Sequence, residues 1–357
     1  MTLIIAEAGV NHNGDERLAF ELVNAAKKAG ADIVKFQTFK AKNLVTAAAQ
    51  QADYQVVNTE KKESQLAMLE RLELSYDAHH RLVEHCNSIG IEFLSTAFDF
   101  ESLDFLVNDL GLTRLKIPSG ELTNAPLVLE HARTGSDLIV STGMATLAEI
   151  ETALGVIAFG YTANKDTQPS LDEFQKAYAS SAGQKCLKEK VVILHCTTEY
   201  PAPYDEINLR AMLTLGDAFN LTAGYSDHSE GISIPVAATA LGASLIEKHF
   251  TLDKNMEGPD HKASLEPDEL AAMVESIRQV NAALGSPVKA PTVSEIGNKS
   301  VARKSLVASQ VINAGDVFTQ DNVVIKRPGD GMSPYKYWDV MSLTATKDYK
   351  VGDLISE

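Results

Sequence analysis

Residues 3–38 read LIIAEAGVNHNGDERLAFELVNAAKKAGADIVKFQT, and the fold is decided here. Leu3–Ala8 is an apolar run of strand length. Arg17–Ala29 then sets Leu18, Leu22, Ala25, Ala26 and Ala29 at helical spacing, and Gly30 after Lys28-Ala29 is a helix stop. Asp32–Thr38 is a second apolar run. A strand, a helix and another strand in that order form the repeating unit of a parallel sheet. Outward from this unit, similar runs recur at Glu92–Phe98, Arg114–Pro118, Asp137–Thr142, Val191–Cys196, Leu221–Ser226 and Ser244–Phe250, eight in all. Amphipathic stretches separate them, most clearly Asp268–Leu284 with Leu270, Met273, Val274, Ile277, Val280 and Leu284 on one face. Eight strands alternating with helices predict an α/β fold, a (β/α)8 or TIM barrel. A doubly wound sheet is the alternative, but no GxGxxG follows the first run.

Two inserts interrupt the rhythm. Lys40–Leu72 follows the carboxyl end of the second strand, where it is positioned to cover a barrel mouth. Tyr161–Lys190 precedes the sixth strand and is expected at the opposite, stabilising face.

The chain has 357 residues, more than a single core usually accommodates. Charge divides it. Ser286–Glu357 holds nine Lys+Arg and eight Asp+Glu, whereas the first 285 residues hold 23 against 40. The change coincides with a Gly-, Ser-, Pro- and Thr-rich stretch, so the reading is a barrel over 1–285, a linker over 286–300 and a small β-rich module over 301–357. In that module Ser305–Ala308 and Asn322–Lys326 flank the turn Asn313-Ala314-Gly315-Asp316. The net charge of −16 argues against a nucleic-acid or acidic-membrane partner. No apolar run approaches the ~20 residues of a membrane span. Three cysteines with no CxxC point to a reducing cytoplasm.

Barrel enzymes keep their chemistry at the carboxyl ends of the strands, and here those ends are polar. They carry Glu7; Lys35 and Gln37; Ser95 and Thr96; Lys116, Ser119 and Glu121; Ser141 and Thr142; His195; Ser226, Asp227 and His228; and Glu247 and His249. Residues two apart share a strand face, so Lys35/Gln37 and Glu247/His249 each point together into the mouth. His228 and His249, on neighbouring strand ends, are candidate ligands of one cation with open positions; a hydrogen-bonded core role is the bland alternative. His195 and His12 read equally well as structural. Lys35, Thr96, Lys116, Ser119 and Ser141 form a candidate anion site, with Gly120 and Gly143 letting backbone amides approach a ligand. Glu7 and Glu121 are candidates for proton transfer, although Glu121 reads equally as an ion-pair partner of Lys116. Asn11-His12-Asn13-Gly14 reads as a turn before the first helix, with Asn11 and His12 near the mouth. Lys326-Arg327-Pro328-Gly329 is either an exposed basic turn or a substrate contact.

These residues lie in ten ordered motifs: AEAGVNHNG (Ala6–Gly14), VKFQTFKA (Val34–Ala41), FLSTAFD (Phe93–Asp99), KIPSGE (Lys116–Glu121), STGM (Ser141–Met144), LHCTTEYPAP (Leu194–Pro203), GYSDHS (Gly224–Ser229), IEKHFTLDK (Ile246–Lys254), GPDHKASLEP (Gly258–Pro267) and KRPGDG (Lys326–Gly331). Through them the chain resembles the N-acetylneuraminate (sialic acid) synthase family over essentially its full length. The resemblance implies a barrel followed by an antifreeze-like (SAF) domain. It implies a nonulosonic acid synthase, a transferase that condenses phosphoenolpyruvate with an open-chain N-acylated hexosamine and releases phosphate. N-acetylmannosamine, giving N-acetylneuraminate, is one such sugar; 2,4-diacetamido-2,4,6-trideoxymannose, giving N,N'-diacetyllegionaminate, is the other.

Carried over by position, His228 and His249 resemble ligands of a divalent cation, Mn2+ in the family. Lys35, Thr96, Lys116, Ser119, Ser141, Tyr200 and Ser226 resemble the phosphoenolpyruvate pocket. Glu7, Gln37 and Asp260 fall at sugar-facing positions, and Glu121 resembles the carboxylate that handles the attacking water's proton. Arg327 resembles a tail-domain arginine that reaches the sugar's acylamino group in a partner subunit, which implies a domain-swapped homodimer. The chain departs from the family at Thr197-Thr198, where some relatives carry asparagine, and at Ala97, where proline is commoner. A catalytically idle sugar-binding protein and a metal-dependent class II aldolase are the competing readings. The intact polar set argues against the first, and phosphate release separates the second.

Overall fold

The period-two pattern of each strand decides how the chain closes. The structure, a computed structural model, describes residues 1–59 and 61–356; Glu60, within the predicted insert, and Glu357 lie outside the described residues. Strands β1 (Leu3–Gly9), β2 (Ile33–Thr38), β3 (Glu92–Ala97), β4 (Arg114–Ile117), β5 (Asp137–Ser141), β6 (Val191–His195), β7 (Thr222–Asp227) and β8 (Leu245–His249) form one closed, all-parallel barrel in chain order. Closure pairs β1 with β8, setting Glu7 opposite His249.

Alternation then sorts the side chains. Ile5, Ile33, Leu94, Ile139, Leu194 and Leu245 point inward and form a dry plug. Two residues further along β1, β2, β3, β5 and β8, the inward positions become Glu7, Lys35, Thr96, Ser141 and Glu247. The outward set, including Ile4, Val34, Phe36, Phe93, Leu115, Val140, Ile193 and Ile246, packs under the surrounding helices. Burying a side chain of this kind contributes about 1.5–3 kcal/mol.

Helix α1 (Glu16–Ala29) starts at Asp15, whose side chain accepts from Arg17 N, and stops at Gly30 with φ 86°. The insert after β2 folds as α2 (Ala41–Leu44), α3 (Asp53–Thr59) and α4 (Gln65–Leu72). The insert before β6 extends a long helix, Leu147–Thr162, with helices Leu171–Ala179 and Ser181–Lys190. Phe174, Ala177 and Leu187 of that insert are buried in the helix-packing core.

The chain divides into two compact units, Met1–Gly285 and Ser286–Glu357. The second holds a two-stranded antiparallel sheet, β9 (Ser305–Ala308) with β10 (Val323–Lys326), and single bridges at Val307–Leu354, Ile312–Tyr349 and Val317–Thr344. Its core gathers Leu306, Ile312, Phe318, Val323, Val340, Tyr349 and Ile355. The 286–300 linker needs correction, because Val293–Ala302 is helical and belongs to this unit. Thr292 and Glu295 form a reciprocal capping box that starts the helix, and Gly329 N donates to Ser300 O at 2.6 Å. Composition alone hid that signal. Among the described residues no helix is long and apolar enough to cross a membrane.

Candidate active site

The carboxyl ends of the strands open into a cavity of about 320 Å3, within the range of small-molecule sites. Its floor is a buried charge network. Lys35 Nζ lies 2.8 Å from Glu7 Oε2 and 3.4 Å from Glu247 Oε2, and donates to Thr96 Oγ1 at 3.2 Å. Lys116 Nζ lies 3.2 Å from Glu247 Oε1 and bonds Ser141 Oγ. Ser226 Oγ donates to Glu247 Oε1 at 2.8 Å. Glu247 therefore joins two ammonium groups that are 81 residues apart in sequence by position 35 and 116.

The environment sets the charge state of each group. Burial lifts the Glu7 carboxyl to about 7, against the pull of Lys35. Burial acts to raise Glu247 too, but Lys116 and Lys35 hold it below the carboxylate range. Burial lowers Lys116. It acts in the same sense on Lys35, where Glu247 and Glu7 more than offset it and raise the ammonium. An ionised Glu247 beside a Glu7 that keeps its proton more readily leaves the floor receptive to an anion.

At the rim, Ser119 Oγ accepts from Gly143 N at 3.0 Å and meets Cys196 Sγ at 3.1 Å. A Cβ on Gly143 would collide with Thr198 Oγ1, so glycine is what allows this backbone approach. Thr198 Oγ1 is buried without a partner and faces the cavity, whereas Thr197 contributes its carbonyl to His228. Glu121 is held by Asn124, whose Nδ2 donates to Oε2 at 2.7 Å. The Lys116–Glu121 pairing left open by the sequence is not formed; Lys116 pairs with Glu247 instead.

His228 and His249 meet with ring centroids 5.5 Å apart. His228 Nδ1 donates to Thr197 O at 2.6 Å, which leaves Nε2 as the lone-pair nitrogen, 3.2 Å from the Tyr200 hydroxyl. His249 Nδ1 is buried without a hydrogen bond, 4.0 Å from Asp260 Oδ2. Burial lowers His228 to about 4 and His249 well below its usual value. Both rings are thus neutral, the form that ligates a cation, and the donor set fits one. Among the described residues no group of three or more His, Cys, Asp and Glu converges as a metal cage. The pair accordingly differs from a closed structural site.

Thirteen of the residues singled out in the sequence line this one cavity: Glu7, Lys35, Gln37, Thr96, Lys116, Ser119, Glu121, Ser141, Tyr200, Ser226, His228, His249 and Asp260. Arg327 lies in the other compact unit. Several strand-end polar groups face away. Ser95 meets the Thr38 hydroxyl, which bonds His79. Asp227 is paired with Lys248 at 2.5 Å behind the barrel wall, both fully buried. His195 meets Ile207 O. Asn11 and His12 do not line the mouth: Asn11 donates to Phe250 O, and His12 Nδ1 accepts from Gly14 N.

Sequence reading placed Glu247 at the mouth with His249 but gave it no role, and its place at the centre of the lysine network comes from the structure. That reading passed over one wall of the cavity. There Val10, Phe39, Leu44, Val45, Met68, Leu69, Leu72 and Phe98 present apolar surface, much of it from the insert after β2.

The barrel thus sets a buried lysine–carboxylate floor, a neutral histidine pair and an apolar wall around one cavity, the placing of chemistry at strand ends that barrel enzymes share. Residues 22–289 match the NeuB family. The chain is 50% identical over 356 residues to the N,N'-diacetyllegionaminic acid synthase of Campylobacter jejuni subsp. jejuni serotype O:2, covering 100% of this chain and 99% of that one. It is 44% identical to the N,N'-diacetyllegionaminic acid synthase of Legionella pneumophila subsp. pneumophila, over 98% and 92% of the two chains. A solved structure of N-acetylneuraminic acid (sialic acid) synthetase from Leptospira borgpetersenii serovar Hardjo-bovis, in complex with citrate, superposes with a TM-score of 0.67 at 32% identity, covering 83% of this chain and 90% of that one. The chain belongs to the NeuB family and is an enzyme of the synthase type found there.

Proposed function

We propose that the protein condenses phosphoenolpyruvate with 2,4-diacetamido-2,4,6-trideoxymannose, giving N,N'-diacetyllegionaminate and phosphate. The observation that carries this choice over N-acetylmannosamine is the apolar wall facing the charged floor. A 6-deoxy carbon and an added acetyl methyl are matched by Leu and Met side chains, whereas a sugar hydroxyl there would lose its hydrogen bonds. The two legionaminic acid synthases at 50% and 44% identity support the same choice.

In this reading Lys35, Lys116, Ser119, Thr96, Ser141 and Ser226 bind phosphoenolpyruvate, with the Thr198 hydroxyl where some relatives carry asparagine. Gln37, Glu7 and Asp260 face the sugar. His228 and His249 would hold a divalent cation, Mn2+ by resemblance, which when bound supplies Lewis-acid polarisation of the sugar's aldehyde. C3 of phosphoenolpyruvate bonds to the aldehyde carbon, water adds at C2, and the C2–O bond to phosphate then breaks. Glu121, oriented by Asn124, takes the proton of the incoming water. The floor ammonium groups stabilise charge on the departing phosphate.

The unit Ser286–Glu357 is proposed as an antifreeze-like (SAF) domain whose Arg327 serves the active site of a second subunit in a homodimer. The three unpaired cysteines agree with a cytoplasmic setting.

The test is phosphate release from phosphoenolpyruvate with Mn2+, run beside both sugars. Release with the diacetamido sugar at a kcat/KM at least tenfold above that with N-acetylmannosamine is expected. Preference for N-acetylmannosamine would overturn the sugar assignment, and release with neither would overturn the synthase reading.

A further inference from the structure

The insert after β2 is tied to itself and to the segment that carries Asp260. Gln65 N donates to Ala49 O at 3.1 Å beside an antiparallel bridge of Gln50 with Ser64. Asn58 Nδ2 donates to Pro259 O at 2.7 Å, next to Asp260, and Lys61 pairs with Glu257. Met68 and Leu72 of α4 are buried with Val10 and Phe39. What the insert shows to the cavity is apolar apart from two side-chain amides, Gln55 of α3 and Gln65 of α4.

Those amides are complementary in what they have left to offer. Gln55 Oε1 accepts from Ala52 N at 2.9 Å, which leaves its Nε2 as a donor. The Gln65 side chain, half-buried, makes no hydrogen bond with any described residue, so it retains an acceptor. A donor and an acceptor in an apolar, cation-free wall are unsuited to a phosphate or carboxylate. A single hydroxyl also carries a donor and an acceptor, but both sit on one oxygen and it brings no apolar group to the neighbouring side chains. A secondary amide carrying a methyl group satisfies both and places its methyl on the neighbouring apolar side chains.

We propose that Gln55 and Gln65 form the subsite for the acetamido group that a 2,4-diacetamido-6-deoxy sugar carries beyond its monoacetamido counterpart. Gln55 donates to the acetamido carbonyl, Gln65 accepts from its N–H, and Met68 and Leu69 receive its methyl. This assignment rests on the diacetamido reading above and makes the insert, rather than the barrel strands, the determinant of sugar choice.

The experiment compares kcat/KM for the diacetamido sugar with that for 2-acetamido-2,6-dideoxymannose, which carries a hydroxyl at C4. Because both sugars are measured on the same enzyme preparation, partial unfolding cancels from the ratio. Gln65→Leu and Gln55→Leu are each expected to lower that ratio about 10- to 100-fold. Gln65→Glu, which keeps an acceptor, is expected to retain more of it than Gln65→Leu. An unchanged ratio in both leucine variants would overturn the subsite. A wild-type enzyme that releases no phosphate with the diacetamido sugar would instead overturn the functional reading on which the subsite rests, so the two failures are distinguishable.

Discussion

Glu247 and Glu121 are both carboxylates at the cavity, but their surroundings give them different work. Glu247 is 4% exposed and compensates two buried ammonium groups, Lys35 and Lys116. Glu247→Gln leaves Lys35 with Glu7 and Lys116 with no ion-pair partner among the described residues, and breaking a buried pair in this way costs about 3–5 kcal/mol. Urea unfolding is expected to show that loss, and adding Lys116→Met to recover part of it, because the two changes act on one network. The Glu121 carboxylate is hydrogen-bonded by Asn124 and has no ion pair among the described residues. Glu121→Gln is therefore expected to lower turnover by about 10²–10⁴-fold while calorimetry shows phosphoenolpyruvate still bound. A fully active variant would remove Glu121 from the chemistry. Most of these side chains were legible one by one, since a polar residue ending an apolar strand stands out. Their partners were not: Glu121 offered itself to Lys116 in sequence, and Glu247 took that place across the barrel.

Among the elements, the strands were the easiest to read, because alternation and apolar runs report burial directly. The insert after β2 was recognised as a mouth cover from its position after a strand's carboxyl end. Its apolar face was not, because short helices interrupted by polar loops carry little periodicity. Its seat depends on Gly14, which adopts φ +78° and whose absent Cβ leaves room for the Arg71 carbonyl at the end of α4. Gly14→Ala combines left-handed strain with a backbone collision. It is expected to cost about 2–4 kcal/mol in denaturation and to raise KM for the sugar more than for phosphoenolpyruvate. Equal changes in both KM values would mean that the insert does not shape the sugar side. The helix Val293–Ala302 was missed because its capping box lies in a stretch whose composition reads as linker.

The molecule as a whole buries several neutral histidines, and this makes it acid-labile. Burial lowers His131 and His261 to about 4, His12 to about 3, and His79 in the same direction. A histidine whose folded pKa lies below its unfolded value binds fewer protons when folded. Its contribution is therefore intact above pH ~6.5 and is lost as pH falls toward the folded value. For His131 the loss between pH 7.5 and 4.5 is about 2–3 kcal/mol. His131→Gln is expected to reduce the acid destabilisation by that amount, measured as unfolding free energy at the two pH values. An identical pH dependence in the variant would remove His131 from the effect. At this scale the sequence by itself determined the strand count, the alternation that separates the dry plug from the polar mouth, and the change of character near Gly285. These are local properties, written in the spacing of apolar and charged residues along the chain. Only the tertiary structure decided that Lys116 shares Glu247 with Lys35, that Asp260 lies beside the His228–His249 pair, and that the insert brings apolar side chains and two side-chain amides to the same cavity as the charged floor. Those relations depend on barrel closure, which brings β1 against β8 and sets residues more than a hundred positions apart within hydrogen-bonding distance.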